Sequence, residues 1–489
     1  MKVELSPRPW AIRLPCWPVA STPTSPRVVR ALGMVAALGG GALIGLVTAT
    51  LGPFAACGLL AALVAGVAIA SDTRAGLWVV LAIVALLPFA VVPVKVVLTP
   101  AVLETVSAAV IGVWLLSSLL HRDRLLPLPH VASLWVVLLL VVTLFAFVLG
   151  IGRGYTTQTY HDYLKFVLGV LLFYVVWSTT QQLDDARRLL TVLLAVTGLA
   201  AVIGLGLYVA GPEVTLAALA RLIPYGYPSE RIVRYIEDDP TKPMRLTSTS
   251  VDPNSFAGLL AVVLVVAVVQ GIARWPVVPR WLSLGTAAVV APALLLTYSR
   301  AGWLGAAVGV GLAAVLRYRW VLVPGAAALA SALALGLGRV FFERLWLGFT
   351  LQDPATRMRL DEYRNALLII REYPLFGVGF GDAPTVSLWT GVSSIYLTVA
   401  ERMGLLGLAT FFLAVGSIAL AGLRAWQARA TEPLGDLLLA LGCAQAAALF
   451  IGLFDHYFFN IRFPHMATLF WTIHAAILAV SQQAGRAHP

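Results

Sequence analysis

A chain of 489 residues that is 60% hydrophobic and only 12% charged carries more apolar surface than one water-soluble core can bury. That composition excludes a soluble globular enzyme and points to a polytopic membrane protein. The net charge of +11 is explained mostly by positive residues flanking membrane spans, so it gives no reason to propose a nucleic-acid partner.

The first 29 residues hold Pro7, Pro9, Pro15, Pro18, Pro23 and Pro26 and read as a disordered inner tail. Apolar segments long enough to span follow near 30–47, 51–70, 77–97, 101–120, 131–149, 162–178, 189–209, 254–273, 281–298, 302–316, 320–338, 394–423, 434–454 and 464–481. These make fourteen expected spans. With the N-terminus inside, the inner segments hold seventeen Lys and Arg, whereas the short outer loops hold only Lys95, Arg153, Arg300 and Arg462. The asymmetry predicts that both termini are inside and that two long loops, about 210–253 and 339–393, lie on the outer face. Cys16, Cys57 and Cys443 lie in the tail or in spans without metal-like spacing, which argues against a disulfide framework.

The first five spans carry few ionisable groups and many small residues, as in GMVAALGGGALIG, and read as scaffold. Lys165 is the first exception, about one turn inside the sixth span; its bland alternative is snorkelling to the interface. The loop after the seventh span interleaves Arg221, Arg231, Arg234, Lys242 and Arg245 with Tyr225, Tyr227 and Tyr235, and four carboxylates offset part of that charge. It ends in RLTSTSVDPNSFAGLL, where Asp252 or Ser250 is placed to cap a helix starting near Pro253. Next, LLLTYSRAGWLG puts Arg300 in a tight turn near the outer surface. A charge there is costly unless it is paired or faces a wet cavity.

The longest polar excursion runs from about Arg339 to Ser394. Its segment 356–371 has helical periodicity, with Leu360, Tyr363, Ala366, Leu367 and Ile370 on one face and Arg357, Arg364 and Arg371 as a stripe beside it. Asp361 lies within pairing reach of the first two arginines. Such a helix either lies on a membrane surface with its arginines at phosphate depth or presents a solvated, snorkelling basic face. Pro374 stops it, and GVGFGD supplies glycines for close backbone approach. Further on, IYLTVAERMGLLGL puts Glu401 beside Arg402 in apolar sequence. Adjacent residues point to different sides of a helix, so a mutual pair does not account for both. His456 and His465 flank DHYFFNIRFPH with Asp455 and Arg462 and read as hydrogen-bonded structural residues. No Walker loop, zinc motif or Ser/His/Asp order suggests ATP, metal or acyl chemistry.

Three separated motifs, RLTSTSVDPNSFAG, LLLTYSRAGWLG and RLDEYRNALLIIREYPLFGVGFG followed by YLTVAERMGLLGL, resemble the bacterial O-antigen ligase and O-antigen polymerase superfamily over roughly 240–410. The resemblance implies a metal-independent, cofactor-free membrane glycosyltransferase. Such an enzyme moves a glycan from an undecaprenyl diphosphate carrier to an acceptor hydroxyl at the periplasmic face of the inner membrane. By position, the span-end arginine role falls to Arg300 and the outer-loop role to Arg357 or Arg364, with Arg245 and Lys165 as further donor-binding candidates. The family's His position falls at Ser393 and its acidic position at Arg402, one residue after Glu401. These departures favour polymerase over ligase. They leave Glu401, preferred, and Asp382 as candidate bases.

The expected fold is therefore an all-α polytopic membrane protein of about fourteen spans, N-in and C-in, with two long outer loops, one containing an amphipathic helix. The expected organisation is a 1–29 tail, a 30–209 scaffold, a periplasmic loop at 210–253, spans with the SR motif at 254–338, a large periplasmic loop at 339–393 and C-terminal spans at 394–489. The expected function is a surface-polysaccharide polymerase, with transfer to lipid A-core as one alternative and a lipid-linked glycan transporter or flippase as another. Expected partners are the undecaprenyl-diphosphate-linked donor, a glycan or lipid-linked acceptor, the bilayer and a chain-length regulator.

Overall fold

The computed structural model describes residues 49, 53–92, 99–120, 130–334, 343, 346–347, 350, 354–383 and 391–486. The expected tail 1–29 and first span 30–47 lie outside the described residues, as do parts of the 339–393 loop. The chain divides into two units at Gly76; in the described part of the first, α1 (Pro53–Ser71) is apolar all round and exposes Leu60, Val64 and Val67.

The described residues of the second unit, which begins at Leu77, are mostly helical, with one short hairpin. Its helices are α2 (Thr73–Leu86, most of it in this unit), α3 (Val102–Leu120), α4 (Val131–Leu149), α5 (Thr157–Thr179), α6 (Leu183–Ala210), α7 (Pro212–Ala220), α8 (Pro253–Ile272), α9 (Arg280–Leu296), α10 (Arg300–Leu316), α11 (Leu322–Ala334), α12 (Pro354–Glu372), α13 (Ile395–Ala428), α14 (Pro433–Ile451) and α15 (Pro464–Arg486). The hairpin pairs β1 (Arg234–Tyr235) with β2 (Met244–Arg245). Among the described residues, α3, α4, α5, α6, α8, α13, α14 and α15 are long and apolar enough to cross a membrane; α2, α9, α10 and much of α1 are shorter apolar helices. The chain is a multi-pass membrane protein. The apolar run expected as one span over 77–97 divides: Pro88 ends the helix at Leu86, and Val91 pairs antiparallel with Ala101 instead.

The centre is α8, apolar on every face and buried among α6, α9, α10, α14 and α15. Asp252 caps it, accepting from Ser255 N at 2.7 Å, and Pro253 opens its first turn. Gly309 lets α10 approach closely, since a β-carbon there would stand 2.6 Å from Val265 Cγ2 and 2.9 Å from the Cys443 carbonyl. At one end of the bundle the fully buried Asp436 accepts from Tyr318 Oη (2.7 Å) and Trp275 N (2.8 Å) and pairs with Arg317 Nε at 3.0 Å. This end also carries Arg274, Arg280, Arg319, Arg424 and Arg429. The other end carries β1 and β2, α12 and the α14–α15 loop.

The amphipathic helix forms as α12, rotated from expectation. Ala366 and Ile369 are buried, while Leu367 is 57% exposed. Tyr363 sets this rotation by donating to the carbonyls of Ser393 (3.0 Å) and Leu453 (2.9 Å). Arg359, Glu362 and Tyr363 consequently face the protein, and Arg357, Arg364 and Arg371 line the opposite, exposed side.

Candidate functional site

A break in α13 organises the site. Gly404 adopts φ 67° and ψ −171°, which interrupts the helix and frees backbone groups on either side of it. The segment after α12 pairs with them: Leu405 N donates to the Pro374 carbonyl (2.7 Å), while Val378 N and Gly379 N donate to the carbonyls of Glu401 and Arg402 (both 2.9 Å). A side chain at Gly377 would overlap the Arg402 backbone, and one at Gly379 would stand 2.6 Å from Gly150 Cα. The GVGFG run is thus a strap threaded between α13 and the 146–155 turn. The far side of the strap is held by Tyr155, which accepts from Phe380 N (2.9 Å), and by Asp382 N, which donates to the Arg153 carbonyl (2.9 Å).

Arg402 closes this assembly by donating to the carbonyls of Gly381 (2.6 Å) and Gly379 (3.3 Å). Contrary to the expectation that Glu401 and Arg402 diverge, Arg402 Nε stands 3.6 Å from Glu401 Oε1, because the long arginine side chain folds back beside the kink. Glu401 is 1% exposed and also accepts from Gly391 N at 3.2 Å. It positions the strap's arginine. Asp382, by contrast, is exposed and lines a cavity of about 350 Å³ together with Arg402, His456, Arg462, Asp162 and Gly154.

Beside this cavity lies an arginine cluster. Arg245 donates to the Thr297 carbonyl (2.8 Å) and Asn254 Oδ1 (2.7 Å), and Arg300, the first residue of α10, reaches Thr356 Oγ1 at 3.3 Å. One turn further along α12, Arg359 pairs with the buried Asp455 at 3.5 Å. Burial pushes the Asp455 carboxyl up to about 6, with Arg359 opposing and Asp252 adding to the shift. His456, next to Asp455, lines the cavity: burial holds its imidazole below the ordinary value, Glu362 and Asp252 oppose, and its Nδ1 has no hydrogen-bond partner among the described residues. A neutral imidazole in the cavity wall is a proton acceptor as well as a structural ring.

The other sequence candidates are more dispersed. Arg364 is exposed and pairs with Asp361 at 3.2 Å; Arg357 is exposed on the same face. Lys165 pairs with Asp162 at 3.1 Å and lines a separate, larger cavity. Sequence reading passed over Arg359, Glu362 and His456 as site members. Arg359, Tyr363 and Ala366 follow an i, i+4, i+7 pattern, so a charge on the packed face was there to be found.

Residues 285–412 match the family model described as O-antigen ligase. The match supports an O-antigen ligase/polymerase superfamily member. It spans Arg300, the whole of α12, the glycine strap and the broken start of α13. Within the O-antigen ligase segment, the strap and the kink are the features that bring Asp382 and Arg402 to one cavity. No curated protein matches the chain.

Proposed function

We propose that the chain is a polymerase-type glycosyltransferase of the bacterial inner membrane, acting at its periplasmic face on a glycan carried by undecaprenyl diphosphate. The observation that carries the reading is the juxtaposition of the arginine cluster, Arg245, Arg300 and Arg359, with a polar cavity presenting the Asp382 carboxylate. The orientation rests on the arginine-rich opposite end, which suits the cytoplasmic side.

In the reaction, the acceptor hydroxyl oxygen bonds to the anomeric carbon of the donor glycan as the bond from that carbon to the phosphate oxygen breaks. The hydroxyl proton passes to a base, and undecaprenyl diphosphate leaves. Arg300 and Arg245, both half-buried and held by hydrogen bonds to Thr356 and to Thr297 and Asn254, stabilise the charge growing on the leaving diphosphate. Arg357 and Arg364, exposed on α12, meet the anionic carrier as it approaches. Asp382 is the base in this reading because it reaches the cavity, whereas Glu401 is enclosed behind Arg402. Transfer to lipid A-core is the second reading. It draws on His456, which brings an imidazole to the cavity although Ser393 stands at the family's His position.

The test is to give purified, reconstituted protein only a lipid-linked glycan. Longer lipid-linked chains are the expected product. Transfer only when lipid A-core is supplied would replace this reading with ligase, and movement of the substrate across vesicles without new bonds would make the protein a transporter.

A further inference from the structure

The larger cavity, about 610 Å³, falls within the roughly 300–1,000 Å³ typical of small-ligand sites. It lies between α3, α5 and α15, and it adjoins the Asp382 cavity, with which it shares Gln158, Asp162 and Arg462 as lining residues. Four of its five ionisable groups meet in pairs, His161 Nε2 at 2.6 Å from Glu104 Oε2 and Lys165 Nζ at 3.1 Å from Asp162 Oδ1, and Arg462 is the fifth. Gln158 Nε2 also donates to Asp162 Oδ1 (2.7 Å), and Ala101 N to Glu104 Oε2 (3.2 Å). Each carboxylate thus gives one oxygen to the protein, and its other oxygen has no hydrogen bond among the described residues. Phe89 and Val91 add apolar lining.

We propose that this cavity is the acceptor subsite, holding a neutral sugar ring by its hydroxyls and directing one of them past Gln158, Asp162 and Arg462 toward Asp382. The assignment rests on the transferase reading above. The carboxylates of Glu104 and Asp162 offset the cations Lys165 and Arg462, which leaves less net attraction for an anion than in the arginine cluster. Carboxylate oxygens fixed by hydrogen bonds in a cavity lining accept from vicinal hydroxyls, and apolar lining covers the C–H face of a ring. Lys165 then serves the acceptor side, by orienting Asp162, rather than the diphosphate.

The experiment uses full-length protein in nanodiscs and two probes: glycan released by mild acid from the lipid-linked pool of the producing cells, and inorganic pyrophosphate. Saturation-transfer NMR should detect the released glycan on wild type, with pyrophosphate failing to displace it. Glu104→Gln keeps the shape but weakens one acceptor oxygen, and Ser107→Val narrows the same cavity without touching an ion pair. Each should raise the acceptor KM by roughly tenfold while transfer of the donor glycan to water continues at the wild-type rate. Loss of glycan binding to pyrophosphate competition, no detectable binding by wild type, or unchanged acceptor KM in both variants would overturn the subsite. If wild type binds the glycan through Glu104 but transfers nothing to it, the cavity is a glycan-binding site, and its acceptor role falls together with the polymerase reading.

Discussion

Arg359 of α12 and Asp455 of the α14–α15 loop meet at 3.5 Å, and this pair joins the amphipathic helix to the centre of the candidate site. The carboxyl of Asp455 has a folded value of about 6, above its ordinary 3.8. The fold therefore favours its protonated form, and the charge that pairs with Arg359 is lost as pH falls through about 6. Arg245, Asp252, Glu362 and His456 surround it, while a diphosphate diester keeps its own charge over this range. Neutralising Asp455 leaves the arginine cluster more positive. The apparent KM for the lipid-linked donor should fall between about pH 7 and pH 5, and Asp455→Asn should flatten that dependence. Initial rates across the range decide it; an identical slope in the variant removes Asp455 from the explanation.

Glu401 is expected to hold Arg402 in place rather than to accept the proton. Glu401→Gln keeps the contact to Gly391 N but leaves Arg402 without its neighbouring charge, so thermal stability should fall by about 1–3 kcal/mol equivalent and turnover should fall with it. The acid limb of the pH–rate profile should keep its position. A limb that disappears in Glu401→Gln would return the base assignment to Glu401.

Asp382→Asn should lower turnover by about 10²–10⁴-fold while donor binding persists, as for loss of a general base. Its exposure in the cavity makes a folding defect an unsuitable explanation, which circular dichroism of the variant checks. Wild-type turnover by this variant would shift attention to His456.

The arginines of α12 divide into two classes. Arg357→Ala and Arg364→Ala remove exposed charges, so donor KM should rise a few-fold with melting temperature almost unchanged. Arg359→Ala leaves Asp455 buried without its counter-charge and should lower melting temperature as well. At the start of α10, Arg300→Lys cannot reproduce a planar two-point contact, and turnover should drop by at least roughly tenfold. Equal behaviour of Arg357, Arg359 and Arg364 in both assays would contradict the division.

Periodic apolar segments, Lys and Arg placement and the local cap at Asp252 are properties of short stretches, and the amino-acid sequence determined them: a multi-pass helical protein, an amphipathic helix over 356–371 and a glycine-rich turn after Pro374. The motifs LLLTYSRAGWLG and RLDEYRNALLIIREYPLFGVGFG with YLTVAERMGLLGL likewise carried the O-antigen ligase resemblance and lie inside the matched segment, whereas RLTSTSVDPNSFAG lies before it. The rotation of α12 was not local. It depends on Tyr363 finding carbonyls at Ser393 and Leu453, thirty and ninety residues away. Nor could periodicity reveal that Gly404 would break α13 and admit residues 374–379, because apolar sequence on both sides of Gly404 favours an unbroken helix. That break decided which carboxylate is enclosed and which reaches the cavity, since backbone groups released at a kink must find partners, and here the partners are the strap that carries Asp382.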